Sequence, residues 1–222
     1  DPYQPVEGKA KLTRECLKVL AKYRIPTSIT TRSPLILRDL DLLRDMHITS
    51  INVSVNTLNT DVYKRLEPAT SPPRKRLEVV QRLVENGLPA GIFIAPILPY
   101  LTDAARDLEV LIKTATEHQA QYAVPSVLRL VPEVKVWYFQ TLQQAYPELL
   151  PAYAKLYPSK YPNPEYVRPL MKRVESLLNQ YGLSHESLDQ GQLANRFDQE
   201  YDKAGQMRGG SRREAQQLAF SF

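Results

Sequence analysis

The chain has 222 residues, 43% of them hydrophobic and 24% charged, enough apolar material for one main domain with an appendage. It contains neither an apolar run of about 18 residues nor a basic-then-apolar leader, so no membrane span or secretory signal is expected and a soluble, cytoplasmic protein is. The single cysteine excludes an internal disulfide framework and any multi-cysteine metal site built from this chain alone; a net charge of +5 permits nucleic acid or phosphate as partner without requiring either.

Helices and strands alternate along the sequence. Leu12, Cys16, Val19, Leu20 and Tyr23 recur at helical spacing, which predicts Cys16 packed on an apolar face. A strand over 27–32 follows. Ser33 then offers an N-cap and Pro34 a first helical residue, so a helix carrying Ile36, Leu37, Leu40 and Leu43 is expected at once. Residues 50–57, "SINVSVNT", read as the second strand. After the broken piece "LNTDVYKRLEPAT", Ser71 and Pro72 repeat the cap signature before a helix with Leu77, Val80, Leu83 and Val84 that Gly87 closes. The strand "AGIFIAPIL" comes third. Thr102 and Asp103 are expected to cap a helix through Leu108, Leu111, Ile112 and Ala115, and "YAVPSVLRL" gives a fourth strand, with Pro125 marking a bulge or edge.

That rhythm predicts βα units and a parallel sheet, because parallel neighbours need a crossover that a helix supplies. The strand faces add detail. Ser28, Thr30 and Arg32 share one side of their strand, and Asn52, Ser54 and Asn56 share one side of the next, opposite Ile51, Val53 and Val55. A sheet covered by helices on both faces would be apolar on both, and a closed barrel interior is packed with Val, Ile and Leu. The expected fold is therefore α/β: an incomplete parallel (β/α) barrel of the TIM type, helices outside and a ligand-holding hollow inside. Gly91, Phe93 and Ala95 would form a flat apolar wall suited to a planar ring.

Residues 1–131 are read as this partial barrel. From 132 to 182 the sequence changes to a Tyr- and Pro-rich helical appendage, with "WYF" at 137–139 and a stripe of Val167, Leu170, Met171, Val174, Leu177, Leu178 and Tyr181 ended by Gly182. Residues 183–222 read as a polar tail, either partly disordered or docking through "LAFSF", with "MRGGSRR" read as solvated ahead of the alternative that it touches a phosphate backbone.

His47, His118 and His185 show no metal-ligand spacing, and Walker, G-x-G-x-x-G and G-x-S-x-G motifs are missing. Arg32, Ser54 and Asn56 stand out, because they fall at the C-terminal ends of neighbouring parallel strands, where this class of fold binds its ligands. Arg32 also sits beside the expected helix start, an arrangement suited to an anion. Two other readings compete. The run Arg74, Lys75, Arg76 would serve a nucleic-acid-binding module, and a phosphate-binding barrel lyase or aldolase would need a lysine or acid at a strand end, whereas Lys64, Lys75 and Lys113 fall on helices.

In order, "DPYQPVE", "SITTRSPLILRDLDLL", the stretch from "INVSVNT" through "EPATSPPRKR" to "AGIFIAPILPYLTD", and "VLRL…EVK" resemble the later part of radical S-adenosylmethionine enzymes related to spore photoproduct lyase. The resemblance covers residues 1 to about 135. It implies S-adenosylmethionine and a [4Fe–4S] cluster as cofactors, radical lyase-like chemistry, and DNA repair with nucleic acid as the substrate class. By the same resemblance Arg32 receives the cofactor's carboxylate, Ser54 hydrogen-bonds the cofactor with Asn56 as a helper, Asp1 lies near its amine or ribose, and Ala95 and Pro96 pack near adenine.

The resemblance also implies a C-x3-C-x2-C loop, ahead of the stretch with which this chain begins, as the source of the cluster's thiolates. The sequence is accordingly expected to be a C-terminal part of such an enzyme, inactive alone, with a preceding segment or a second copy covering an open sheet edge.

Overall fold

The structure, a computed structural model, describes residues 1–184. The expectations for His185, for residues 207–213 and for residues 218–222 lie outside the described residues. In chain order the elements are α1 (Glu7–Ala10), α2 (Leu12–Lys22), β1 (Thr27–Thr31), a 3-10 segment (Pro34–Asp39) running into α3 (Leu40–Asp45), β2 (Ile48–Ser54), α4 (Thr60–Leu66), α5 (Pro73–Glu85), β3 (Ala90–Ile97), α6 (Ala105–Glu117), β4 (Ala123–Val127), α7 (Pro132–Ala145), a 3-10 turn (Pro147–Leu149), α8 (Leu150–Leu156) and α9 (Pro164–Gln180).

The four strands of the described residues pair in parallel, in the sequential order β1-β2-β3-β4, each pair joined by helical crossovers. This is the strand and helix order of a partial (β/α) barrel, as the alternating pattern predicted. The two-sidedness of the sheet is also as read from the sequence. Ile29, Ile51, Val53, Ile92 and Ile94 enter one core with Leu77, Val80 and Leu83 of α5 and Leu108, Leu111 and Ile112 of α6. On the polar side the Ser28 and Ser50 hydroxyls meet at 2.7 Å, and Asn52 Nδ2 donates to Thr30 Oγ1 at 3.4 Å.

Gly91 has a packing role at this sheet. A Cβ there would lie 2.3 Å from the Tyr122 carbonyl and 2.6 Å from its ring, so only glycine admits the tyrosine. Tyr122 in turn donates its hydroxyl to the Ile51 carbonyl at 2.9 Å, reaching across from the start of β4 to β2.

Beyond β4 a second core gathers Leu98, Leu128 and Leu130 under α7 and α8, with Tyr138, Leu142, Tyr153, Leu156 and Tyr157. Buried tyrosines need partners for their hydroxyls. Tyr153 finds the Pro99 carbonyl at 2.7 Å, Tyr157 the Leu128 carbonyl at 2.9 Å, and the Tyr138 hydroxyl pairs with that of Tyr153 at 3.1 Å. The tyrosines of this segment thus tie α7 and α8 to the strand ends. Helix α9 starts on an Asn163 cap, packs on α6 and β4, and buries Leu170, Val174 and Leu178 in the sheet core.

Several local expectations are corrected. Cys16 is exposed, because α2 turns Leu17 rather than the 12–16–19–23 stripe inward. Ser71 does not cap α5; its carbonyl is taken by Arg76 instead. Thr102 closes a turn by accepting from Leu98 N, and Asp103 accepts from the Tyr166 hydroxyl, so α6 begins without a side-chain cap. Among the described residues no helix is long and apolar enough to cross a membrane.

Candidate functional site at the strand ends

Arg32 follows directly on β1, and its backbone is held by the first residue of the chain. The Asp1 carboxylate accepts from Arg32 N at 2.9 Å through one oxygen, and from Thr31 Oγ1 at 2.7 Å and Tyr3 N at 2.9 Å through the other. Three donors on one carboxylate make Asp1 a fastener of the β1 terminus. Ser33 caps the following turn by accepting from Leu35 N at 3.3 Å, with Pro34 behind it. That turn is a six-residue 3-10 segment rather than the expected α-helix, so the guanidinium itself carries the positive potential here.

The Arg32 side chain is 39% exposed, pairs with Glu67 Oε1 at 3.4 Å and lines a cleft of ≈ 200 Å³ that Glu67, Ser54 and Asn56 do not line. Asp1, Tyr3, Arg32, Ser33, Thr70 and Ser71 are among its lining residues. One strand over, Ser54 and Asn56 are buried at the end of β2. Asn56 Nδ2 donates to Glu67 Oε1 at 3.2 Å, so Glu67 touches both Asn56 and Arg32. Deeper on the same face, Asn52 is buried and its Oδ1 has no hydrogen-bond partner, an acceptor on which a donor would be stabilising.

Arg76 explains why the loop between β2 and α5 has this shape. It is 1% exposed, and its guanidinium donates to Ser71 O at 2.7 Å, Ser54 O at 3.0 Å, Glu67 Oε2 at 2.7 Å and Thr70 Oγ1 at 2.6 Å. The Tyr63 ring lies 5.9 Å from it and the Tyr63 hydroxyl donates to the Thr70 carbonyl. Arg76 is therefore withdrawn from the basic run that suggested a nucleic-acid module; only Arg74 and Lys75 remain exposed there.

The structure brings Asp1, Arg32 and Asn56 together through Glu67 and the backbone of β1, and links Ser54 to them through Arg76. Ala95 and Pro96 lie on β3, half-buried, joined by a cis peptide bond and outside the residues lining the Arg32 cleft. Sequence reasoning passed over Glu67, Arg76 and Asn52 as site residues. The signal for Arg76 was available: it falls on the apolar stripe of α5 with Pro73, Leu77, Val80 and Leu83, where an arginine must be paired. For Glu67, in an irregular loop, no periodicity pointed inward.

The donor set decides which cofactors suit. A guanidinium after β1, Ser54 and Asn56 at the end of β2 and Asn52 deeper on the same face offer the groups that a small ligand with a carboxylate and several hydrogen-bonding atoms takes. An iron–sulfur cluster is another matter. Cys16 is the only cysteine and stands exposed on α2, and among the described residues no group of three His, Cys, Asp or Glu could hold a metal. This chain supplies no set of thiolates for a cluster.

Comparison with known proteins agrees with the fold. Residues 4–113 match the model of the Radical SAM superfamily, and this part of the chain belongs to that superfamily. It is 31% identical over 188 residues to the uncharacterized protein Rv2578c of Mycobacterium tuberculosis, covering 83% of this chain and 55% of that protein. It is 38% identical over 103 residues to the uncharacterized protein MJ0683 of Methanocaldococcus jannaschii, covering 46% of this chain and 39% of the other. Spore photoproduct lyase complexed with dinucleoside spore photoproduct shares the fold with a TM-score of 0.61 at 17% identity, over 79% of this chain and 55% of that one. A form of the lyase with bound AdoMet and the same dinucleoside gives 0.59 at 16%, with the same coverage. The chain thus spans about half the length of the Mycobacterium relative and of the lyase.

Proposed function

We propose that this chain is the S-adenosylmethionine-binding part of a radical lyase-like enzyme acting on nucleic acid. The observation that carries the reading is the Arg32 guanidinium, presented at a parallel strand end beside the polar residues of β2 in the part of the chain that belongs to the Radical SAM superfamily. Arg32 receives the cofactor's carboxylate in a two-pronged contact, Ser54 and Asn56 hydrogen-bond its polar groups, and Asp1 keeps the Arg32 backbone in place. Ala95 and Pro96 stand on the adenine side. When bound, this cofactor supplies a carbon-centred radical for hydrogen abstraction. The thiolates for the cluster come from outside the chain, so the chain alone is inactive.

Nucleic acid as substrate is supported by the dinucleoside held in the related lyase and by the net charge of +5. Alternatively, the exposed Arg74 and Lys75 serve a nucleic-acid-binding module without catalysis; fluorescence anisotropy with an oligonucleotide, showing affinity that falls steeply with salt and ignores S-adenosylmethionine, would favour that reading.

Calorimetric titration with S-adenosylmethionine tests the main proposal. Arg32→Ala should weaken binding about 10- to 100-fold, the range for a lost charged hydrogen-bond pair. Ser54→Ala keeps the carbonyl that holds Arg76 and should cost about tenfold or less. Unchanged affinity in both variants would refute the assignment.

A further inference from the structure

We infer that Glu67, anchored by the buried Arg76, is the positioning residue that selects a carboxylate-bearing ligand by aiming Arg32. The inference rests on the reading of Arg32 as the receiver of that carboxylate.

The two oxygens of Glu67 have different surroundings. Oε2 is fixed from behind by Arg76 Nη2 at 2.7 Å. Oε1 faces the site, 3.2 Å from Asn56 Nδ2 and 3.4 Å from Arg32 Nη1. Removing a charge from water is costly unless it is paired, so the 1%-exposed Arg76 needs the Glu67 side chain beside it. Arg76 itself is pinned to the β2 terminus through the Ser54 carbonyl and to the loop through Ser71 O and Thr70 Oγ1. The position of Oε1 is therefore set by a rigid chain of contacts running from the end of β2 into the site.

Arg32 has no such support of its own. Its backbone is fastened by Asp1, but its long side chain is 39% exposed and Glu67 is the carboxylate paired with its guanidinium. An arginine loses conformational freedom on binding a ligand, and a tether that restricts it beforehand lowers that cost. The contact through Nη1 at 3.4 Å leaves the side chain 39% exposed, so its guanidinium is open to an incoming carboxylate. Glu67 thus acts through Arg32, without touching the ligand.

The test compares S-adenosylmethionine with decarboxylated S-adenosylmethionine, followed by NMR titration of the full chain into the millimolar range. The wild type should prefer the carboxylated ligand, and Arg32→Ala should abolish that preference. Glu67→Gln should cut the preference about five- to thirtyfold by weakening S-adenosylmethionine alone, and should have no further effect in the Arg32→Ala background. If Glu67→Gln fails to fold, the pair Glu67→Gln and Arg76→Gln, which removes the buried charge with its partner, carries the same readout. Should Glu67→Gln weaken both ligands equally, weaken neither, or tighten S-adenosylmethionine as loss of a mere competitor would, the inference falls while the role of Arg32 stands. A preference that survives Arg32→Ala, or a wild type that binds neither ligand, overturns the proposed function and this inference together.

Discussion

Helix α9, which comes after β4, and helix α2, which leads into β1, carry apolar stripes of similar regularity, yet the structure uses them differently. Leu170, Val174 and Leu178 of α9 are buried in the sheet core. On α2 only Leu17 is buried, while Leu12, Val19 and Tyr23 are 69%, 55% and 64% exposed. Beside Leu17 and the half-buried Leu20, charge holds α2. Arg14 donates to Asp39 at 2.8 Å and pairs with Asp41 at 2.5 Å, and Arg38 joins the cluster through Asp39 at 2.8 Å and Glu7 at 3.0 Å. A helical apolar period shows that a face wants covering, and the covering depends on which elements are there to meet it.

Substitutions should cost most at the α9 end of the sheet. Gly91→Val would drive its side chain into the Tyr122 backbone and ring, and loss of the folded state in thermal melts is expected. Leu178→Ala, fully buried on α9, should lower unfolding stability by about 2–5 kcal/mol in a denaturant titration.

Acid should separate the two helices. Burial works to raise the Asp39 pKa, but the hydrogen bonds from Arg38 and Arg14 outweigh it and hold this carboxyl below its usual range; Arg14 likewise draws Asp41 down to about 2. Depressed carboxyl pKa values add stability that is fully present above the unfolded value, roughly pH 4, and is lost as pH falls toward the folded value. Amide exchange in α2 should accordingly speed up between about pH 4 and 2 ahead of exchange in α9, once corrected for intrinsic rates. The smallest effect belongs to the exposed stripe: Leu12→Ser and Val19→Ser should shift stability by no more than about 0.5 kcal/mol.

Much of this architecture was legible in the sequence because it rests on local rules. The βα alternation, the polar side of β1 and β2 and the Gly87 stop at φ +75° follow from period, face and backbone permissiveness. Capping was less legible, since Thr102 and Asp103 carry the right chemistry for a cap but find partners in Leu98 and Tyr166, one through a turn and one 63 residues away. The site was legible to a similar degree. Arg32, Ser54 and Asn56 could be placed at strand ends, whereas the Glu67–Arg76 clamp depends on an irregular loop folding back on β2, which no periodic pattern encodes.

The claim on which the account turns is that the Arg32 guanidinium meets the carboxylate of a small zwitterion. Nitrogen-15 NMR of the guanidinium groups, with Arg32 assigned by its substitution, measures this directly. The account predicts that the Arg32 signal shifts saturably with S-adenosylmethionine and stays in place with the decarboxylated ligand. A signal that moves alike with both ligands, or with neither, would contradict it.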